Sequence, residues 1–117
     1  MPEIEYVEDR MESEELLERL CPPVRNWFKD KFPDFTEPQK VAIPRILNGE
    51  HLLLCSPTGS GKTLTAFLTI IDDLVRRSLD GSLPDAVQCV YISPIKALAN
   101  DIEKNLLGPL GEIKERY

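Results

Sequence analysis

HLLLCSPTGSGKTLTAF, residues 51–67, is the stretch on which the reading of this chain turns. It opens on a short, continuous apolar run, His51 to Cys55, of the length expected for a buried strand. It closes on the start of a long helical pattern over 61–79, in which Leu64, Phe67, Leu68, Ile71, Leu74 and Val75 fall on one face. Between the two lies S-P-T-G-S-G-K-T, residues 56–63. A glycine turn between strand and helix is the setting a phosphate-binding loop requires. Gly59 and Gly61 let the backbone bend, so that the loop Thr58–Gly59–Ser60–Gly61 turns successive N–H groups toward an anion. The helix N-terminus adds its dipole at the same point. Lys62 brings a flexible charge for the β- and γ-phosphates of a nucleotide, and Thr63 a hydroxyl for Mg²⁺. Lys62 and Thr63 are therefore the candidate catalytic pair.

Outward from this stretch the chain reads as alternating elements. Downstream, residues 80–86 form a surface loop, and Val87 to Ser93 is a second buried strand. Ile95, Leu98, Ile102, Leu106 and Leu110 then recur at helical spacing, with Pro109 expected to end that helix. Upstream, three short helices are predicted. Residues 12–20 carry Leu16, Leu17 and Leu20 on one face, with Ser13 as cap. Pro22 and Pro23 break that helix or open the next, which runs through Val24, Trp27 and Phe28 to Phe32. A third spans Glu37 to Leu47, with Pro44 as a potential kink, and stops at Asn48 and Gly49. Strand, crossover helix and strand imply an α/β layered fold with a parallel β-α-β core behind an N-terminal helical extension. The boundaries are an acidic leader over 1–20, the helical extension over 21–50, and the nucleotide-binding part over 51–117.

The net charge of the 117 residues is -6. Residues 1–20 hold eight acids and two bases, whereas the remainder balances 12 against 12. All the acidity thus belongs to the leader, and no basic stripe announces nucleic acid. Asp72 with Arg76, and Asp73 with Arg77, set acids four residues before bases, read as solvated pairs on the polar face of the long helix. Cys21, Cys55 and Cys89 are odd in number and far apart, against a disulfide framework or a zinc site. Cys55 and Cys89 lie in apolar runs and are expected in the core. No apolar run approaches a membrane span, and the acidic start lacks the pattern of a secretion signal, so the expected location is cytoplasmic.

LLLCSPTGSGKTLTAF, residues 52–67, resembles motif I of the superfamily 2 helicases. Ser56 stands where the phosphate loop usually has glycine, a substitution common in those helicases. FTEPQ, residues 35–39, is similar to their adenine-reading Q motif. The resemblance makes Gln39 the adenine contact, since an amide presents a donor beside an acceptor, and Phe35 the nearest ring to stack on the base. ISPIKALANDI, residues 92–102, resembles motif Ia, which implies that Pro94, Lys96 and Ala97 touch the backbone of a single nucleic-acid strand. The longer string at 91–113, with PPVRNWF at 22–28 and TEPQKVAIPRI at 36–46, is similar to the large helicase-related (Lhr) proteins. The implied fold is part of a RecA-like P-loop domain. The implied cofactors are ATP and Mg²⁺, and the implied partners are single-stranded DNA or RNA and the remaining helicase domains.

Hydrolysis in such motors also needs an acidic motif to hold Mg²⁺ and position water. Neither expected strand ends in a carboxylate pair, so the expectation is an N-terminal helicase piece, inactive alone. Two other readings share the same residues: a nucleotide-binding module completed by a partner chain, and a non-catalytic interaction domain. In such motor domains the two expected strands are separated by later ones. Alone they would expose edges, leading to marginal stability, self-association or direct pairing of the two. A charge-balanced 21–117 behind an acidic leader also gives a weak electrostatic attraction to phosphates. Single-stranded DNA is expected to show no binding to this chain at physiological salt in fluorescence anisotropy. Micromolar binding there would overturn that charge argument.

Overall fold

A computed structural model describes residues 6, 9–55, 61–90, 92 and 103–116. The described residues form five α-helices: α1 (Ser13–Arg19), α2 (Pro22–Lys31), α3 (Glu37–Leu47), α4 (Lys62–Asp80) and α5 (Gly108–Arg116). A π turn, Glu103–Leu107, runs directly into α5. Pro109 therefore does not end a helix as expected but sits in the first turn of one. Ile95, Leu98 and Ile102 of the expected helix lie outside the described residues.

The upstream helices follow the sequence with one correction. Pro22 and Pro23 open α2, the second of the two roles expected of them. Ser13 does not cap α1; Glu12 holds that position, and the Ser13 hydroxyl donates to the Asp34 carboxylate instead. The last carbonyls of α1 are met from α2, where Arg25 donates to the carbonyls of Leu17 (2.7 Å) and Leu20 (2.8 Å). This fixes the corner between the two helices. At its far end α4 closes on Gly81, whose φ of +79° is the left-handed conformation that a helix stop favours.

The core sits among all five helices. Leu16, Leu20, Val24, Trp27, Phe28, Ile43, Leu68, Ile71 and Ile113 are buried together. Phe28 anchors an aromatic stack, with Phe35 at 4.2 Å and Phe32 at 5.0 Å between ring centroids. The Trp27 indole N–H donates to Glu112 (2.8 Å), and Lys31 pairs with the same carboxylate (2.9 Å). These contacts hold α5 on α2.

The strand expectations are not met among the described residues. Residues 51–55 and 87–90 form no ladder, with each other or with anything else described. Leu53 (87% exposed), Val87 (84%) and Val90 (76%) face outward rather than into a core. A strand exists only where neighbours take its N–H and C=O groups, and no described residue does so here. Cys55 and Cys89, expected in the core, are exposed for the same reason, whereas Cys21 is buried.

Asp72 is a further correction: it is 1% exposed, not solvated. Its Oδ1 accepts the Cys21 N–H at 2.7 Å, and its Oδ2 accepts from Arg76 at 3.0 Å. Cys21 is the residue that leads into α2, and the next two positions are prolines without N–H groups. A carboxylate from α4 thus sits at the positive end of α2, in place of a cap that α2 cannot supply. Arg76 also donates to the Arg19 carbonyl (2.7 Å), so the cluster ties the α1–α2 corner to α4. Asp73, by contrast, is exposed and paired with Arg77 as expected. Burial, then the Asp72 charge, pushes the Cys21 thiol up to about 11. In the folded chain iodoacetamide is expected to label Cys55 and Cys89 and spare Cys21. Asp72→Ala should cost about 2–3 kcal/mol in urea unfolding and expose Cys21 to the reagent. Asp72→Asn, which keeps an acceptor, should cost less.

Candidate nucleotide site

The site is built where α3 meets the start of α4. Thr36 and Gln39 close a reciprocal cap on α3: the Gln39 N–H donates to Thr36 Oγ1 (3.4 Å), and the Thr36 N–H donates to Gln39 Oε1 (2.8 Å). This arrangement fixes the Gln39 amide plane and buries it to 3% exposure. Its Nε2 then donates to the Gly61 carbonyl at 3.3 Å. Gln39 is therefore neither a free surface amide nor an isolated one. It joins the Q-like turn to the end of the glycine loop.

Gly61 is the residue that leads into α4, with φ +83°. Its carbonyl takes hydrogen bonds from Thr65 N–H (3.0 Å) and Thr65 Oγ1 (2.8 Å) as well as from Gln39. A Cβ here would stand 2.5 Å from Gln39 Nε2 and 3.3 Å from Gln39 Cδ. Both the backbone conformation and the space thus demand glycine. Immediately after it, Lys62 is exposed and Thr63 half-buried. The N-terminus of α4 carries no side-chain cap and no acid in its first turn. It differs from α1, which has Glu14 and Glu15 there, and from α3, which has Glu37. Beside Lys62 lies a cleft of about 390 Å³ bordered by Ile46, His51, Leu52 and Ala66. A larger cavity of about 550 Å³ includes none of Gly61, Lys62 and Thr63; its walls carry the Asp72–Arg76 and Asp73 groups, already paired.

Of the residues singled out from sequence, the structure brings Gln39, Gly61, Lys62 and Thr63 into one region. Phe35 is placed elsewhere: it is 5% exposed and stacked on Phe28, so it serves the core rather than standing free beside a base. The ring of that stack which reaches solvent is Phe32, 37% exposed. Thr58, Gly59 and Ser60, and likewise Pro94, Lys96 and Ala97, lie outside the described residues. Thr65 went unnoticed in the sequence, although a threonine four residues after the loop glycine is placed to bond back to its carbonyl. No group of three metal-ligating side chains occurs among the described residues. No described helix is long and apolar enough to cross a membrane.

Residues 36–116 match the family described as DEAD/DEAH box helicase. The match begins at Thr36, the cap of α3. "ATP-dependent helicase Lhr-Core" of Methanocaldococcus jannaschii is 49% identical over 97% of this chain and 13% of its own length. The protein of the same description from Methanothermobacter thermautotrophicus is 57% identical over 82% of the chain and 11% of its own. "Lhr helicase/uracil glycosylase" of Escherichia coli is 39% identical over 82% of the chain and 6% of its own. The chain thus spans about an eighth or less of the length of these relatives. No solved structure gives a significant match.

The Gly61–Gln39 contact makes a specific thermodynamic prediction. Gly61→Ala should cost more than about 1 kcal/mol in urea unfolding, from the left-handed backbone and the collision with Gln39. In a Gln39→Ala background the collision partner is gone. Only the backbone penalty then remains, so the two substitutions should be less than additive. Additive losses would mean that the amide and the glycine do not meet.

Proposed function

This chain belongs to the DEAD/DEAH box helicase family, and from that premise we propose that it is the nucleotide-binding part of an ATP-dependent helicase. The observation that carries the reading is the start of α4: a helix of 19 residues whose N-terminus has neither a side-chain cap nor an acid, with Lys62 exposed at its first position. Such an end leaves first-turn N–H groups and a positive dipole for an anion, and a mobile ammonium beside them. A triphosphate fits that chemistry. The loop 56–60 would wrap the phosphates, Lys62 would neutralise the β- and γ-groups, and the Thr63 hydroxyl would serve Mg²⁺. Bound Mg²⁺ supplies charge neutralisation to the phosphates.

Gln39 is the group proposed to read the base. An amide has two donors and two lone pairs, and its described partners, Thr36 and Gly61, use one of each. The remaining donor and lone pair match the donor and acceptor on one edge of adenine. Gln39 therefore holds the loop and reads the base with different hydrogens of the same group. Pro94, Lys96 and Ala97 are proposed to contact the sugar-phosphate backbone of a single strand, as the resemblance of 92–102 implies. Translocation on DNA or RNA and strand separation belong to this proposal as activities of the whole helicase, as does an intracellular setting. The names of the Lhr-Core relatives, as ATP-dependent helicases, support it.

A fluorescent ATP analogue titrated into this chain at low salt should bind weakly and saturably. Lys62→Ala should abolish the binding, and inorganic phosphate should compete for the site. The chain alone should release no phosphate from ATP. Binding unchanged in Lys62→Ala would place the nucleotide somewhere other than the start of α4.

A further inference from the structure

The acidic leader was without an assignment in the sequence. Part of it is docked. Arg10 pairs with Glu37 at 2.7 Å, and the Ser13 hydroxyl bonds the Asp34 carboxylate. Between them, the Met11 N–H donates to the Lys40 carbonyl at 3.0 Å. That last bond has a cause in the sequence. Lys40 C=O would ordinarily accept the N–H four residues on, but that residue is Pro44, inside α3, and has no N–H. The proline orphans one carbonyl, and the leader supplies the donor. The Met11 side chain packs on the core at the same place. The Lys40 side chain, 11% exposed, lies between Asp34 and Glu37 at 3.7 Å from each and knits the same surface together.

The three anchor points, Asp34, Glu37 and Lys40, surround the turn that carries Gln39. We infer that residues 10–13 form a strap that holds the first turn of α3 in place, so that Gln39 stays aimed at Gly61 and the nucleotide. Met11 and Arg10 are then positioning residues: they touch no nucleotide and act through Gln39. The inference rests on the function proposed above. It adds to it that the segment preceding the Q-like motif sets nucleotide affinity and base preference.

The test compares the full chain with two deletions, of residues 1–8 and of residues 1–11, each with and without Pro44→Ala. Alanine at 44 restores the N–H that Lys40 lacks, so it makes the Met11 donor redundant. Deleting 1–8 should leave binding of the fluorescent ATP analogue unchanged, because the strap survives. Deleting 1–11 should weaken it about fivefold, the consequence of losing roughly one net hydrogen bond. Binding of the corresponding GTP analogue should fall less, since Gln39 makes no matched contact with guanine. In the Pro44→Ala background the loss on deleting 1–11 should shrink to about twofold or less. Amide exchange at Gln39 and Lys40 should rise on deletion of 1–11 and be restored by Pro44→Ala. Equal losses for the two deletions, equal losses for ATP and GTP, or no rescue by Pro44→Ala would each overturn the strap. If the full chain binds no nucleotide at all, the proposed function fails. The strap is then decided by exchange alone, and unchanged exchange at Gln39 and Lys40 would overturn it.

Discussion

The carbonyl of Gly61 is the point on which the arrangement depends. It accepts from Thr65 twice and from Gln39 once, and so joins two helices that the chain separates by 22 positions. Each donor is available for a separate reason. Thr65 sits one turn into α4, so its N–H and hydroxyl both reach back to the residue that starts the helix. The Gln39 amide is already held by the Thr36 cap, so it loses little further freedom in making the bond. A side chain on residue 61 would displace the amide and strain the backbone at once. The glycine is thus required twice, for the path of the loop and for the approach of α3.

α4 is the beam to which everything else is fixed. Its first turn meets α3, its middle meets the α1–α2 corner through Asp72, and its apolar face holds Phe67, Leu68 and Ile71 in the interior. Thr65, Thr69 and Asp72 are all buried on this one helix. Each is satisfied differently: the threonines bond back to carbonyls of their own helix, and the aspartate crosses to another. The buried carboxylate is tolerated because it gains a backbone N–H, an arginine and the end of a helix dipole together. At the start of α2 the two prolines have no N–H, and the Cys21 N–H just ahead of them is the donor that the carboxylate takes.

What was legible in the sequence was local. The helices α1 to α4 follow from spacing and turn chemistry, whereas the place of Gln39 near the glycine loop came only from the resemblance of 35–39 and 52–67 to helicase motifs. T-E-P-Q at 36–39 is also a reciprocal helix-capping pattern, which identifies the start of α3 and fixes the amide. What was not legible depends on partners distant in the chain. Asp72 has the same spacing to Arg76 as Asp73 has to Arg77, yet Asp72 lies on the buried side of α4 with Thr65 and Thr69 and meets Cys21, whereas Asp73 is exposed. Phe35 adjoins the Q-like turn in sequence but finds Phe28 across the core. The runs at 51–55 and 87–90 have strand composition, but composition supplies no neighbour, and pairing is what makes a strand.

Pro44 shows how a local defect becomes a tertiary contact. Read along the helix, it is a weakness, one donor missing and one carbonyl left over. A buried or half-buried carbonyl without a donor is costly, so a helix can keep such a proline only if something outside it donates. Water would suffice at an exposed position. At Lys40, whose side chain is 11% exposed, the backbone N–H of Met11 does so instead. A side-chain donor could have filled the same role but would have left the register of the leader free. A backbone donor fixes it, because only one N–H is in place when Arg10 reaches Glu37 and Ser13 reaches Asp34. The proline therefore does more than interrupt α3: it gives the segment ahead of α1 a backbone partner, directly behind the residue that meets Gly61.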